Sequence, residues 1–194
     1  IGEEQVYVSA SIGITMYPGD GRVVESLLKN ADQALYAAKG AGRNRFRFFT
    51  PALQEAALNR VRLANDLRAA LQEKQFHLVY QPIVSLHDGS VHKAEALIRW
   101  THPVRGLISP GEFIPIAEAT GLIVDIGEWV FHTAMAQTAL CRTRYDARFQ
   151  LSVNKSPAQF HADAGRRFAW REQLAAMGLP GDAVAVEITE GLLL

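Results

Sequence analysis

Hydrophobic and polar residues alternate along several short stretches of the chain, and helical periodicity fills most of the intervals between them. The β-branched run 6–15 predicts a strand, and apolar residues at helical spacing predict a helix over 25–39. Residues 43–49 alternate basic and aromatic side chains and predict a second strand. This succession indicates an α/β unit, and Thr50-Pro51 marks a boundary after it.

The second region opens with a long amphipathic helix, predicted over 52–73, whose Leu63 and Leu67 lie on one stripe. Strands at 76–84 and 91–100 are joined by a short turn, which implies an antiparallel pair. The remaining predicted elements are helices at 110–119, 123–143 and 164–177 and strands at 149–155 and 184–190. Strands that alternate with helices imply βα units and a parallel sheet.

Composition narrows the class of protein without naming a function. The 194 residues are 48% hydrophobic and 21% charged, as in a soluble globular protein. Twenty basic residues balance twenty acidic ones, so the net charge does not suggest a nucleic-acid partner. Cys141 is the only cysteine and no apolar run reaches about 20 residues, so neither an internal disulfide nor a membrane segment is expected. We expect a cytoplasmic chain, which is compatible with the cytoplasmic portion of a longer membrane-anchored or sensor protein.

The strand at 91–100 carries two opposite charges on one of its faces. Its alternation places Ala94, Ala96, Ile98 and Trp100 on one face and Glu95, Leu97 and Arg99 on the other. Buried charges are costly unless they are paired or bind a ligand. Residues four apart on a strand are roughly 13 Å apart, so Glu95 and Arg99 need different partners. From these residues alone, Glu95 and Arg99 can be explained either by separate structural ion pairs or by a functional site.

Two later strands show the same division between an apolar and a polar face. Asn154 lies on the polar face of the strand at 149–155, and Glu187 lies on that of the strand at 184–190. Together with Glu95 they would supply two carboxylates and an amide, hard oxygen donors that suit Mg²⁺ or Mn²⁺. Arg99, nearer the rim, could clamp a phosphate. The alternative is that Asn154 caps the next segment and Glu187 forms a salt bridge.

Five motifs follow one another in the second region. They are Tyr80-Gln81-Pro82-Ile83-Val84, Glu95-Ala96-Leu97-Ile98-Arg99-Trp100, Pro110-Gly111-Glu112-Phe113-Ile114-Pro115-Ile116-Ala117-Glu118, Val153-Asn154-Lys155-Ser156-Pro157-Ala158-Gln159-Phe160 and Glu187-Ile188-Thr189-Glu190. In this order they resemble the EAL domain of bacterial cyclic di-GMP phosphodiesterases. The resemblance covers about 110 residues and implies a TIM-like (β/α) barrel.

The resemblance also implies roles for individual residues. It makes Glu95, Asn154 and Glu187 ligands of Mg²⁺ or Mn²⁺, and it makes Gln81, Leu97 and Arg99 contacts of the dinucleotide, Arg99 through phosphate. Glu190 would hold a loop that organises the site. The implied reaction is hydrolysis of one phosphodiester bond of cyclic di-GMP to linear pGpG by metal-activated water. The alternative is a degenerate EAL domain that acts as a cyclic di-GMP receptor or regulatory interaction module.

Residues 6–49 contain three further recognisable segments, Ser11-Ile12-Gly13-Ile14, Ala31-Asp32-Gln33-Ala34-Leu35-Tyr36-Ala37-Ala38-Lys39 and Gly42-Arg43-Asn44. They resemble the end of a GGDEF (diguanylate cyclase) domain. The resemblance makes Lys39 and Arg43 candidates for contacts with nucleotide phosphates. A solvated helix end that favours cations explains the same two residues without a ligand.

The expected architecture is therefore α/β, a partial TIM-like barrel with an antiparallel first strand, preceded by the C-terminal part of a GGDEF-like α/β domain. We predict the GGDEF-like part at 1–50, a linking helix at 51–73 and the N-terminal half of the EAL-like barrel at 74–194. Only about 140 residues follow the boundary, whereas such a barrel takes about 250. We expect a segment of a longer GGDEF–EAL protein, inactive alone, which dimerises through these domains.

Overall fold

The structure is a computed structural model that describes residues 7–162 and 169–188. Its helices are α1 (Val24–Gly40), α2 (Pro51–Ala70), α3 (Pro110–Thr120), α4 (Ile123–Arg144), α5 (Pro157–Ala162) and α6 (Ala169–Ala176). Its strands are β1 (Ile12–Ile14), β2 (Phe46–Phe48), β3 (Phe76–Val84), β4 (Val91–His102), β5 (Gly106–Ile108), β6 (Gln150–Lys155) and β7 (Val184–Ile188). Two compact units, residues 1–62 and 63–194, divide the chain within α2. The domain limits at 50 and 73 stay a prediction.

The first unit contains β1, α1 and β2, and its two strands pair in parallel with Gly13 beside Arg47. A Cβ atom on Gly13 would lie 2.0 Å from the carbonyl oxygen of Ala31, so only glycine lets α1 pack directly on this strand. The predicted order of strand, helix and strand is confirmed, although both strands are shorter than predicted. Arg43 and Asn44 have φ values of 57° and 47°, so they form a turn instead of opening β2.

The sheet of the second unit has the strand order β3-β4-β6-β7. β3 is antiparallel to β4, whereas β6 runs parallel to both β4 and β7, as the sequence predicted. The short strand β5, which the sequence analysis did not predict, returns antiparallel along the end of β4. Parallel pairing of β4, β6 and β7 brings their carboxyl ends to one edge of the sheet, which positions the candidate site.

Two buried clusters pack helices against the apolar face of this sheet. Trp100 and Phe113 are fully buried in the first cluster, where their rings meet edge to face at 5.6 Å. This cluster includes Leu63 and Leu67, so the predicted stripe on α2 is confirmed. The second cluster joins the core residues of α4 to those of β4 and β6; its buried members include Ala94, Ala96, Phe131, Met135, Leu151 and Val153. The alternation predicted for β4 matches the observed burial, and that of β6 does so except at Ser152, which lies on the predicted polar face and is nevertheless buried.

Several predicted boundaries in the second unit differ from the observed ones. α2 ends at Ala70 and not at 73, because the chain turns through Lys74, whose φ is 55°. α5 follows β6 directly and was not predicted. Of the helix predicted at 164–177 the structure describes α6, and of the last strand it describes residues up to Ile188. Within residues 7–162 and 169–188, no helix combines the length and apolar character that crossing a membrane requires.

Candidate active site

The structure brings Glu95 of β4 and Asn154 of β6 together on one face of the sheet. Glu95 lies beside Ser152 in the parallel register, and Asn154 is the next residue of β6 on that face. The Asn154 amide Nδ2 donates a hydrogen bond to Glu95 Oε1 at 2.7 Å. These two residues are 59 positions apart in the sequence, so the contact depends on the parallel pairing of their strands.

Glu187 of β7 lies opposite Asn154 in the register of the next strand pair. Paired residues of neighbouring strands project to the same face, so three oxygen-bearing side chains from three strands share this face. Within the described part of the chain, no three histidine, cysteine or acidic side chains are placed as a metal-binding group. The candidate set instead contains two carboxylates and an amide, and such oxygen donors fit Mg²⁺ or Mn²⁺.

The predicted ligand contacts lie on the same face as Glu95. Gln81 of β3 pairs with Glu95 across the antiparallel register, and Leu97 follows on β4 beside Val79. Arg99 is two residues further along β4, half-buried, and its guanidinium donates to the backbone carbonyl of Ile98 at 2.9 Å. The face thus presents an amide, an apolar side chain and a cation in a row beside the carboxylate.

A cleft of about 270 Å³ opens at the carboxyl ends of β4 and β6. Leu97, Arg99 and Asn154 line it together with residues of α3 and α4. Lys155 also lines the cleft, and its ammonium group lies over the rings of Phe160 and Trp170, 4.7 and 4.3 Å from their centroids. The Lys155 ammonium therefore packs on aromatic rings on the face opposite Asn154, whereas Arg99 is a cation on the face of Glu95 that can meet an anionic ligand.

Three residues that border the cleft had no role assigned from sequence. Ser156 Oγ donates to the Glu118 carboxylate at 2.6 Å, which joins the chain after β6 to the end of α3. The Gln159 side chain is 3% exposed, and its Oε1 accepts from the Ser156 backbone N–H at 2.9 Å. All three lie inside the recognised motifs, but the bond between Ser156 and Glu118 joins elements that sequence spacing does not relate.

Two groups near the sheet, Tyr80 on β3 and Asp146 after α4, have pKa values outside their ordinary range. Burial raises the pKa of the Tyr80 phenol on β3, and nearby Cys141 adds to the effect. The pKa of Asp146 is lowered, first by the backbone N–H of Arg148 and further by a hydrogen bond with His92 at the start of β4. Tyr80 therefore stays a neutral hydroxyl, and Asp146 stays ionised, at neutral pH.

The other predicted residues lie apart from this cleft or outside the described ranges. Lys39 is in the last turn of α1, and Arg43 follows it in the left-handed turn; both are exposed in the first unit. Their proposed contact with nucleotide phosphates stays a prediction. Glu190 lies outside the described residues.

Each of the two regions of the chain matches a known domain family. The EAL domain model matches residues 64–194, and the model of the diguanylate cyclase GGDEF domain matches residues 1–45. The bifunctional diguanylate cyclase/cyclic di-GMP phosphodiesterase MucR of Pseudomonas aeruginosa is 44% identical over 190 residues, which are 98% of this chain and 28% of MucR. The cyclic di-GMP phosphodiesterase PdeR of Escherichia coli K12 is 37% identical over 194 residues, covering all of this chain and 29% of PdeR.

Solved structures agree with this assignment. The PaMucR phosphodiesterase in its complex with c-di-GMP matches with a TM-score of 0.63 and 44% identity, over 66% of this chain and 52% of that one. The EAL-like fold predicted from the sequence is thereby confirmed. The chain spans less than a third of the length of the two curated relatives. Because the EAL match covers most of the chain and the GGDEF match covers its start, the protein belongs to the EAL domain family and carries a GGDEF segment before its EAL domain.

Proposed function

We propose that the protein hydrolyses one phosphodiester bond of cyclic di-GMP to give linear pGpG. The single observation that carries this proposal is the contact between Glu95 and Asn154 at 2.7 Å, on the face that also presents Arg99. One face of the sheet therefore carries both a candidate metal site and, two pairs of residues along β4, a candidate phosphate clamp. The names of the two curated relatives and the bound c-di-GMP in the PaMucR structure support the choice of substrate.

We propose Glu95, Asn154 and Glu187 as the residues that hold a divalent cation, Mg²⁺ or Mn²⁺. The Asn154 Nδ2 that donates to Glu95 Oε1 at 2.7 Å is not a metal ligand, so the cation would be held by Oδ1 of the same amide and by the Glu95 carboxylate, at the 2.0–2.6 Å typical of oxygen ligands. Glu187 approaches from the neighbouring strand at the same level as Asn154. When bound, the cation would lower the pKa of a water molecule and stabilise charge on the phosphodiester.

The remaining residues of the face would bind and orient the dinucleotide. The Arg99 guanidinium presents a planar fork of N–H donors, which matches two oxygens of a phosphate. Gln81 lies beside Glu95 and can donate or accept through its amide. Leu97, between Glu95 and Arg99, offers apolar surface to a base or ribose. Half-burial of Arg99 at the cleft lowers the local dielectric and strengthens its attraction for phosphate.

A metal-dependent hydrolysis assay on the full-length protein tests this function, with Glu95→Ala as the key variant. We expect turnover to fall by more than about 100-fold, which exceeds the usual cost of losing a group that only supports a metal ligand. The matched control is Glu172→Ala, which removes an exposed carboxylate on α6 and should leave turnover unchanged. If the full-length, unsubstituted protein binds c-di-GMP but shows no metal-dependent turnover, the hydrolysis proposal is refuted and the receptor alternative is supported.

Three further expectations remain predictions beside this proposal. They are a homodimer, a cytoplasmic location, and nucleotide-phosphate contacts of Lys39 and Arg43. The position of Lys39 in the last turn of α1 is one where a cation is favoured with or without a ligand. Light scattering on the full-length protein would test the dimer directly.

A further inference from the structure

The chain that leaves β6 is fixed by hydrogen bonds immediately after Asn154. Ser156, two residues on, donates from Oγ to the Glu118 carboxylate at 2.6 Å. The same Oγ accepts from the backbone N–H of Ala158 at 3.2 Å, within the first turn of α5. An ordinary helix start needs only the second bond. The bond to Glu118 is additional, and it ties this turn to a different helix.

Gln159 fixes the same turn from the opposite side. Its backbone N–H donates to the Ser156 carbonyl at 3.0 Å, while its side-chain Oε1 accepts from the Ser156 N–H. The amide end of Gln159 lies against Gly127 of α4, where an added Cβ would be 1.8 Å from Nε2. Glycine at 127 therefore provides the space that the buried Gln159 amide occupies.

Three helices thus converge on the turn that follows the candidate metal ligand. The end of α3 contributes Glu118, the N-terminal part of α4 contributes Gly127, and the start of α5 contributes Gln159. Pairing of Val153 with β4 and of Asn154 with β7 fixes this part of β6 within the sheet. On the C-terminal side of Asn154, the position of the backbone depends on the turn at Ser156. A metal ligand must be placed to within about 0.2 Å, so the support on both sides matters.

We propose that Glu118, Ser156 and Gln159 form a positioning network that holds Asn154 in the geometry required to bind the metal. This inference rests on the proposed function and deepens it, because none of the three residues is itself a proposed ligand. The network acts through hydrogen bonds and not through charge. Glutamine at 118 can still accept from the Ser156 hydroxyl, whereas alanine cannot.

The test compares Glu118→Ala with Glu118→Gln in the full-length protein. Glu118 is exposed near the end of α3, so neither substitution removes a core side chain. Binding of Mn²⁺ without substrate is measured by electron paramagnetic resonance, and the thermal midpoint is measured in parallel. We expect Glu118→Ala to raise the Mn²⁺ dissociation constant by about 10-fold, the lower range for loss of a group that supports a ligand. The Mn²⁺ dissociation constant of Glu118→Gln should stay within about twofold of that of the unsubstituted protein.

Ser156→Ala removes the other partner of the same bond and should weaken Mn²⁺ binding to a similar extent, whereas Glu172→Ala should not. Equal weakening by Glu118→Gln and Glu118→Ala would overturn the proposal, because it would show that charge and not the hydrogen bond matters. Unchanged Mn²⁺ binding in both Glu118→Ala and Ser156→Ala would also overturn it. Glu95→Ala in the same titration distinguishes the two failures. If it abolishes Mn²⁺ binding, the proposed metal site stands without the network, and if it does not, the proposed site itself is wrong.

Discussion

Trp100 offers a sharp test of how the aromatic core supports the strand that carries Glu95. Its side chain is fully buried, and the indole Nε1 donates to Gln75 Oε1 at 2.8 Å. Trp100→Phe removes this bond, at a cost of about 1 kcal/mol. It also leaves a cavity of a few tens of Å³, which costs roughly 1 kcal/mol at about 24 cal/mol per Å³. We therefore expect the free energy of unfolding to fall by about 2 kcal/mol.

Urea unfolding of the full-length protein, followed by far-ultraviolet circular dichroism, measures this change. The matched control is Trp129→Phe, since Trp129 is half-buried on α4 and should cost less than Trp100. The Trp100 side chain lies on the face opposite Arg99, so binding of c-di-GMP should survive the substitution. A loss below about 0.5 kcal/mol, or one no larger than that of the control, would refute the summed estimate.

Three other substitutions test separate parts of the structure. Arg99→Lys exchanges a planar fork for a point charge, so we expect the c-di-GMP dissociation constant to rise by about 10-fold by calorimetry; unchanged affinity would exclude a bidentate clamp. Leu67→Ala opens a cavity under α2 and should cost about 2–5 kcal/mol in urea unfolding; a loss under 1 kcal/mol would contradict tight packing there. Hydrogen bonds from Ser90 and Ser85 lower the pKa of Asp88 to about 2. Its ionised form therefore stabilises the fold above pH of about 4, and this contribution disappears as the pH falls toward 2. Asp88→Asn should lower stability at pH 7 and reduce its change between pH 4 and 2; an unchanged acid profile would show that the carboxylate does not matter.

The sequence predicted those features of the fold that depend on one element at a time. Alternation on β4 and β6 gave both faces of the sheet, and the stripe through Leu63 and Leu67 gave the buried side of α2. The ends of elements were less well predicted, because positive φ at Asn44 and Lys74 turns the chain where the side-chain pattern continues. Neither Asn nor Lys signals such a turn as strongly as glycine does.

The candidate site was predictable as a set of residues but not as a set of contacts. Polar residues on the same face of three strands suggested that Glu95, Asn154 and Glu187 belong together, and the strand register supports that grouping. The bond between Ser156 and Glu118 could not be predicted from the sequence, because it joins positions 38 apart whose distance depends on how α3 packs against α4 and β4. Sequence periodicity describes which face a residue occupies, not which neighbour it meets across an interface.

Gly127 has a consequence for attempts to engineer this protein. It lies inside the 22-residue helix α4, where alanine would raise intrinsic helix stability by about 1 kcal/mol. That exchange is a common choice for thermostabilisation, yet here the new methyl group would displace the Gln159 amide. Displacing that buried amide would break its hydrogen bond to the Ser156 backbone, at a cost that offsets the gain in helix propensity. Selection for heat resistance should therefore retain glycine at position 127, although a rule based on helix propensity alone would replace it.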